Sequence, residues 1–161
     1  MSQRLAILAS GEGTLTEAII GDGIPVSLLF SDRPCRAAQV VGPRAGVPSI
    51  IIERDDFSES FNREHFTEFL LSVLLAHEIE VVVMAGFKTV LSTTIFTSYE
   101  GMIINSHPSL LPKFKGANAV RDTLQAGEII TGCTIHLVSH RGSALDTTVF
   151  SYSCPSFPKA L

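Results

Sequence analysis

No two of the three cysteines in this chain, Cys35, Cys133 and Cys154, stand in a Cys-x-x-Cys pair. That leaves no zinc site to propose and reads as reduced thiols in a cytoplasmic protein. Charge is scarce as well, 17% of residues against 45% hydrophobic. Such a balance excludes a disordered chain and suggests strands buried on both faces. With a formal charge of −4 there is no basic excess, which argues against a general nucleic-acid binder. No apolar run approaches the ~20 residues that span a bilayer, which argues against a membrane protein. The opening Met1-Ser2-Gln3-Arg4 leads directly into a strand pattern, without the apolar core and cleavage site of a signal peptide. Repeats, low-complexity tracts and linkers are missing too. The 161 residues are therefore read as a single domain, 1–161, long enough to bury a core.

What is present alternates. Apolar runs at 5–9, 25–30, 49–52, 80–84, 102–104 and 132–138 are expected strands. Segments 14–20, 36–45, 62–77, 93–99 and 118–126 are expected helices, the third carrying Phe66, Phe69, Leu70, Val73 and Leu74 at helical spacing. Strands alternating with helices predict an α/β domain: an open, mostly parallel twisted sheet with helices on both faces. Ligands collect at the carboxyl ends of such strands, where Gly11, Gly13, Gly86, Asn105 and His107 all fall.

The most telling stretch is Asn105-Ser106-His107-Pro108-Ser109-Leu110-Leu111-Pro112. Side chains two apart share a face of a strand, so Asn105 and His107 project together. An amide donor beside an imidazole suits acyl-group transfer, one stabilising an oxyanion and the other moving protons near neutral pH. A strand end holding a buried polar pair is the alternative. Near the start, Ser10-Gly11-Glu12-Gly13-Thr14-Leu15-Thr16 forms a glycine turn at a helix N-terminus, where phosphate is the natural guest. No Gly-Lys pair makes it a Walker loop, and Thr16 occupies the third glycine position of a dinucleotide fingerprint. Asp32 does lie where a ribose-binding acid would. A plain structural turn remains open for this loop. Gly86, within Ala85-Gly86-Phe87-Lys88-Thr89-Val90-Leu91, would let a planar heterocycle approach the backbone; a packed strand-to-helix turn is the other reading. His136 alternates with Ile135 and Leu137 and reads as a half-buried structural residue, and His65 and His77 as exposed positions on helices.

These motifs together resemble the folate-dependent glycinamide ribonucleotide (phosphoribosylglycinamide) formyltransferases, within the wider formyltransferase family. The likeness runs from about residue 4 to about residue 138 and is carried by 8–14, 32–38, 81–87, 105–116 and 127–136. The Asn-x-His-Pro-Ser-Leu-Leu-Pro stretch marks the wider family. The Ser-Gly-x-Gly loop favours the glycinamide ribonucleotide branch over the methionyl-tRNA branch. The resemblance implies a Rossmann-like formyltransferase fold and transfer of a formyl group from 10-formyltetrahydrofolate to the amine of 5'-phosphoribosylglycinamide in purine biosynthesis. Folate would be a cosubstrate, with no bound cofactor and no metal. Asn105 and His107 match the catalytic pair, His107 acting in its protonated form. Gly11, Gly13, Thr14 and Leu15 match the phosphate loop. Arg63 matches a folate-contacting arginine, and Lys88, Thr89, Val90 and Leu91 a segment lining the folate pocket. Partners would be the two small molecules, not nucleic acid or membrane, and the state a monomer or homodimer.

Some positions depart from the family pattern. Leu15 replaces an asparagine, and Lys88 and Thr89 replace Met and Arg. The supporting catalytic aspartate belongs in a Leu-Asp-x-Gly turn: a gapless count puts Ser143 there, and three extra residues put Asp146 there, within Leu145-Asp146-Thr147-Thr148. Residues 139–161 diverge, and the family's last helix has no counterpart. Asp146 completes the expected catalytic set. Three rivals follow: a catalytically impaired folate- or sugar-phosphate-binding relic, a methionyl-tRNA formyltransferase-like enzyme, and a nicotinamide dehydrogenase resting on Gly11, Gly13 and Asp32.

Overall fold

A computed structural model describes residues 3–54, 56, 58, 60–139 and 148–155. Five parallel strands form the body of one sheet: β1 (Leu5–Leu8), β2 (Val26–Ser31), β3 (Ser49–Ile51), β4 (Val81–Met84) and β5 (Ile103–His107). Two antiparallel strands, β6 (Ile130–Leu137) and β7 (Thr148–Pro155), extend it past β5. The order is β3-β2-β1-β4-β5-β6-β7. The chain therefore winds outward from β1 in one direction, then crosses to β4 and winds in the other. Loops after β1 and β4 leave on opposite sides and open a crevice between them, the usual ligand site of an open α/β sheet.

Apolar runs become strands here because both faces are covered. Ala6 and Leu8 of β1 point into one apolar layer with Leu28 and Phe30 of β2, against Phe66, Leu70 and Leu74 of α3 (Arg63–Ala76). Ile7 and Ala9 point into the other, with Leu29, Ala37, Ala38 and Val47. The period-2 pleat thus feeds two cores from one strand. α1 (Thr14–Gly21) contributes Ile19 and Ile20 to the second layer. Asn62 caps α3 by accepting from the N–H of His65 at 3.0 Å, and a glycine in the left-handed region, Gly127 (φ 69°), follows α5 (Ala119–Gln125).

Three details differ from the sequence reading. The helix expected over 36–45 is a wide π turn, Ala37–Val41, followed by the short α2 (Gly42–Arg44). Pro43 offers no N–H to a regular ladder, and Gly42 N–H reaches back five residues to the Ala37 carbonyl. Residues 93–99 divide into a 3-10 turn, Thr93–Ile95, and α4 (Phe96–Tyr99). β7 was not expected at all. It pairs along β6 from Ile130↔Pro155 to His136↔Thr148. Among the described residues no helix is long and apolar enough to cross a membrane.

Candidate active site

The loop from β1 to α1 is shaped by a glycine that only glycine can be. Gly13 has φ 79°, and a Cβ there would stand 2.9 Å from both Cα and Cβ of Ala37. The loop's carbonyls are taken up by the segment after β2. Ala37 N–H donates to Gly11 O at 3.0 Å, and Arg36 Nη1 donates to Glu12 O at 2.8 Å. Arg36 also pairs with Glu17 at 2.7 Å, which holds that carboxyl below its usual range. First-turn N–H groups of a helix have no intrahelical acceptor, so those of α1 remain for a ligand. They border a hollow of about 290 Å³ lined by Gly11 to Leu15, Ala85, Gly86, Ser106 and Pro108. Leu15 is exposed at its edge.

The segment after β4 crosses the crevice. Ser10 N–H donates to Gly86 O at 3.3 Å, and Ser10 Oγ accepts from Lys88 N–H at 2.9 Å. Gly86 has φ 75°. From there Lys88, Thr89, Val90 and Leu91 line a larger cavity, about 450 Å³, that Asn105, His107 and His136 also line. Arg63 is not brought into that lining: it sits on the exposed first turn of α3, its carbonyl accepting from Thr67 Oγ1. The helix start is nevertheless joined to the end of the segment, because Thr67 Oγ1 accepts from Ser92 N–H at 2.9 Å and Glu64 accepts from the Thr94 hydroxyl. That contact with Thr94 lowers the Glu64 carboxyl's pKa.

At the end of β5 the pleat sorts side chains by destination. Asn105 and His107 line only the larger cavity, whereas Ser106 borders both hollows. His107 Nε2 lies 2.8 Å from the Phe114 carbonyl, which can only accept, so the proton is on Nε2 and Nδ1 is left over. Phe114 itself has φ 53°, an unfavourable conformation for a bulky residue, and this turn is what aims its carbonyl at the imidazole. Ser109 Oγ fixes the same loop by donating to Lys113 O at 2.7 Å, and Thr134 Oγ1 donates to Ser109 O at 2.8 Å from β6.

His136 is where the sequence reading needs correction. It is buried, but it lines the cavity and its Nε2 stands 3.1 Å from Asn105 Nδ2. Its Nδ1 is 3.1 Å from Leu137 O, so Nδ1 carries the proton and Nε2 accepts from Asn105. The alternation marked it as a half-buried structural residue, and the side chain is more buried than that. The alternation could not reveal that β6 is antiparallel to β5, which sets His136 directly across from Asn105. Asp32 also differs from a ribose acid. It is fully buried and bound to Thr89 and Arg33, and it lines neither hollow, which counts against a dinucleotide site. Ser143 and Asp146 lie outside the described residues. Among the described residues no group of three or more His, Cys, Asp or Glu side chains could hold a metal ion.

A family model described as formyl transferase matches residues 3–147. The chain belongs to the formyl transferase family. That match continues past residue 138 and takes in Asp146. A phosphoribosylglycinamide formyltransferase of Mycobacterium tuberculosis is 36% identical over 140 residues, covering 84% of this chain and 63% of that protein. The trifunctional purine biosynthetic protein adenosine-3 of Gallus gallus is 35% identical over 147 residues, 88% of this chain but 14% of that protein. This chain therefore spans less than two thirds of the length of these relatives. Its fold superposes on glycinamide ribonucleotide transformylase 1 from Geobacillus kaustophilus with a TM-score of 0.83 at 31% identity, covering 99% of this chain and 86% of that one. For the phosphoribosylglycinamide formyltransferase from Streptococcus pneumoniae the TM-score is 0.86 at 29% identity, with coverage of 99% and 86%.

Proposed function

We propose that this protein transfers a formyl group from 10-formyltetrahydrofolate to the amine of 5'-phosphoribosylglycinamide. The observation that carries this reading is the single cleft made by the two hollows. They share Gly86, Ser106 and Pro108, and Asn105 and His107, on either side of Ser106, line the larger one. One end offers helix N–H groups to a phosphate and the other offers backbone and apolar walls to a planar heterocycle. The reacting amine and formyl carbon would then come together over β5.

In the proposed reaction the amine nitrogen attacks the formyl carbon and the carbonyl π pair moves to oxygen. Asn105 Nδ2 has two hydrogens, one held by His136 and one left for that oxyanion. His107, expected from the sequence in its protonated form, is taken here as neutral: its Nε2–H stays on Phe114 O and its Nδ1 accepts the amine's proton. The carbon–nitrogen bond to folate breaks as the oxyanion collapses, and the proton passes to the departing folate nitrogen. Products are the formylated amide and tetrahydrofolate.

The test is a formyl-transfer assay on the purified chain with both substrates, following formylated product by mass. Product formation that is lost in both His107→Ala and Asn105→Ala supports the reading. Those changes should cost ~10²–10⁴ and about 10²–10³ respectively in turnover. Unaltered turnover in either variant refutes the mechanism; no transfer by the parent chain refutes the activity.

A further inference from the structure

Asp32 and Thr89 are 57 residues apart and both buried, at 0% and 1% exposure. The Thr89 hydroxyl donates to Asp32 Oδ2 at 2.7 Å, and Arg33 Nε donates to Oδ1 at 3.2 Å. We infer that Asp32 and Thr89 form a clasp that positions the backbone of Lys88–Leu91 for the formyl donor, making both of them positioning residues. The inference rests on that segment being the donor's wall, as proposed above.

The geometry is that of two anchors in step. Phe87 and Thr89 are buried while Lys88 and Val90 between and after them are exposed. Phe87 packs edge-on against Phe30, with ring centres 6.3 Å apart. Thr89 bonds Asp32, two residues beyond Phe30. The segment is thus pinned to the end of β2 by one apolar and one polar contact, two residues apart on each stretch. Its other tether on the phosphate-loop side is Lys88 N–H to Ser10 Oγ. The apolar anchor is tolerant of sliding, whereas a hydroxyl on a buried carboxylate fixes position and direction. Neither Asp32 nor Thr89's hydroxyl needs to touch a ligand for this to matter: a displaced wall loses complementarity to the heterocycle while the α1 hollow keeps its shape.

The test compares Thr89→Val, close in shape but without the hydroxyl, with Thr89→Ser, which keeps it. In Thr89→Val the KM for 10-formyltetrahydrofolate should rise about tenfold or more, while the KM for the phosphorylated amine stays unchanged. Thr89→Ser should restore the parent value. Amide hydrogen exchange supplies a readout needing no substrate: in Thr89→Val the Lys88 N–H should exchange about tenfold faster, with the Ala85 N–H in the sheet ladder unaffected. If the valine variant does not fold, Asp32→Asn, which keeps an acceptor but not the charge, carries the same comparison at about threefold. Parent-like exchange in the valine variant, equal changes in both KM values, or a serine variant as impaired as valine overturns the clasp. A parent chain that binds no folate overturns the proposed activity instead, and the exchange measurement still decides whether the clasp exists.

Discussion

Asn105 Nδ2 and His136 Nε2 meet at 3.1 Å across the antiparallel pair β5–β6, and the direction of that bond sets which way the amide faces. His136 donates from Nδ1 to its neighbour's carbonyl, so Nε2 can only accept, and the amide must present nitrogen to it. The second Nδ2 hydrogen is then committed to the cleft. An amide held by nothing would rotate, and half its orientations would offer oxygen to an oxyanion.

His136→Phe should therefore lower kcat by about tenfold or more, short of the 10²–10³ for losing the donor itself. The KM for either substrate should change little, because nothing in the ground state depends on that hydrogen. Steady-state kinetics with both substrates varied separates the outcomes. A rise in KM at constant kcat would show that His136 shapes the pocket and does not aim Asn105.

Two glycines of the proposed phosphate loop should behave oppositely. Gly13→Ala puts a methyl against Ala37 in a backbone region that L-residues avoid, and should lower stability by about 1–3 kcal/mol. Gly11 has no positive φ and no atom within 4 Å of a built Cβ, so Gly11→Ala should fold normally. Gly11 lines the hollow, so affinity for the phosphorylated amine should fall while folate affinity holds. Thermal unfolding and binding of each substrate measure the two effects. Equal loss of both ligands in Gly11→Ala would make the loop structural.

Much of this was legible in the residues, and the exceptions have physical causes. The parallel strands were readable because their continuous apolar runs are what double-sided burial requires, as β1 shows with Ala6 and Leu8 on one face and Ile7 on the other. Asn105 and His107 were readable because i and i+2 share a face whatever the neighbours do. The contacts of His136 with Asn105 and of Phe114 with His107 were hidden. The first depends on a cross-strand register with β5, the second on a φ of 53° that no residue type in that turn announces. Asp32 was readable as an acid at a strand end, but its partner Thr89 is 57 residues away. β7 escaped because its serines alternate with aromatics only over a few residues, too short a signal beside the divergent segment before it.

Tyr99 couples stability to pH. Its hydroxyl donates to Ile79 O at 2.7 Å inside the core, and burial raises its pKa above the usual phenol value. The unfolded chain therefore loses this proton before the folded one as pH rises. Stability should fall as pH climbs through and beyond the ordinary tyrosine range, and the contribution is fully present below it. Tyr99→Phe should flatten that alkaline limb. At neutral pH it should cost about 1–3 kcal/mol, for a buried carbonyl left without its donor. Denaturant unfolding at neutral and alkaline pH tests both. An unchanged alkaline slope in the variant assigns the limb to other groups.

Asp146 is the remaining expectation for the catalytic set, and it rests on sequence alone. The family match reaches residue 147 and so includes it, while the gapless alternative, Ser143, has no carboxylate. An imidazole that takes up a proton during the reaction is favoured by a nearby carboxylate, which stabilises the charged ring. His107 already spends Nε2 on the Phe114 carbonyl, an acceptor without formal charge, so that help has to come from elsewhere. Asp146→Asn should accordingly lower turnover by about 10²-fold, within the range of losing general acid–base catalysis. Substrate affinities and the unfolding midpoint should stay close to the parent's. Ser143→Ala serves as the contrast and should be silent. If Asp146→Asn turns over normally, the carboxylate has no part in the reaction. If Ser143→Ala is the impaired variant, the three-residue insertion was placed wrongly and the segment aligns without a gap.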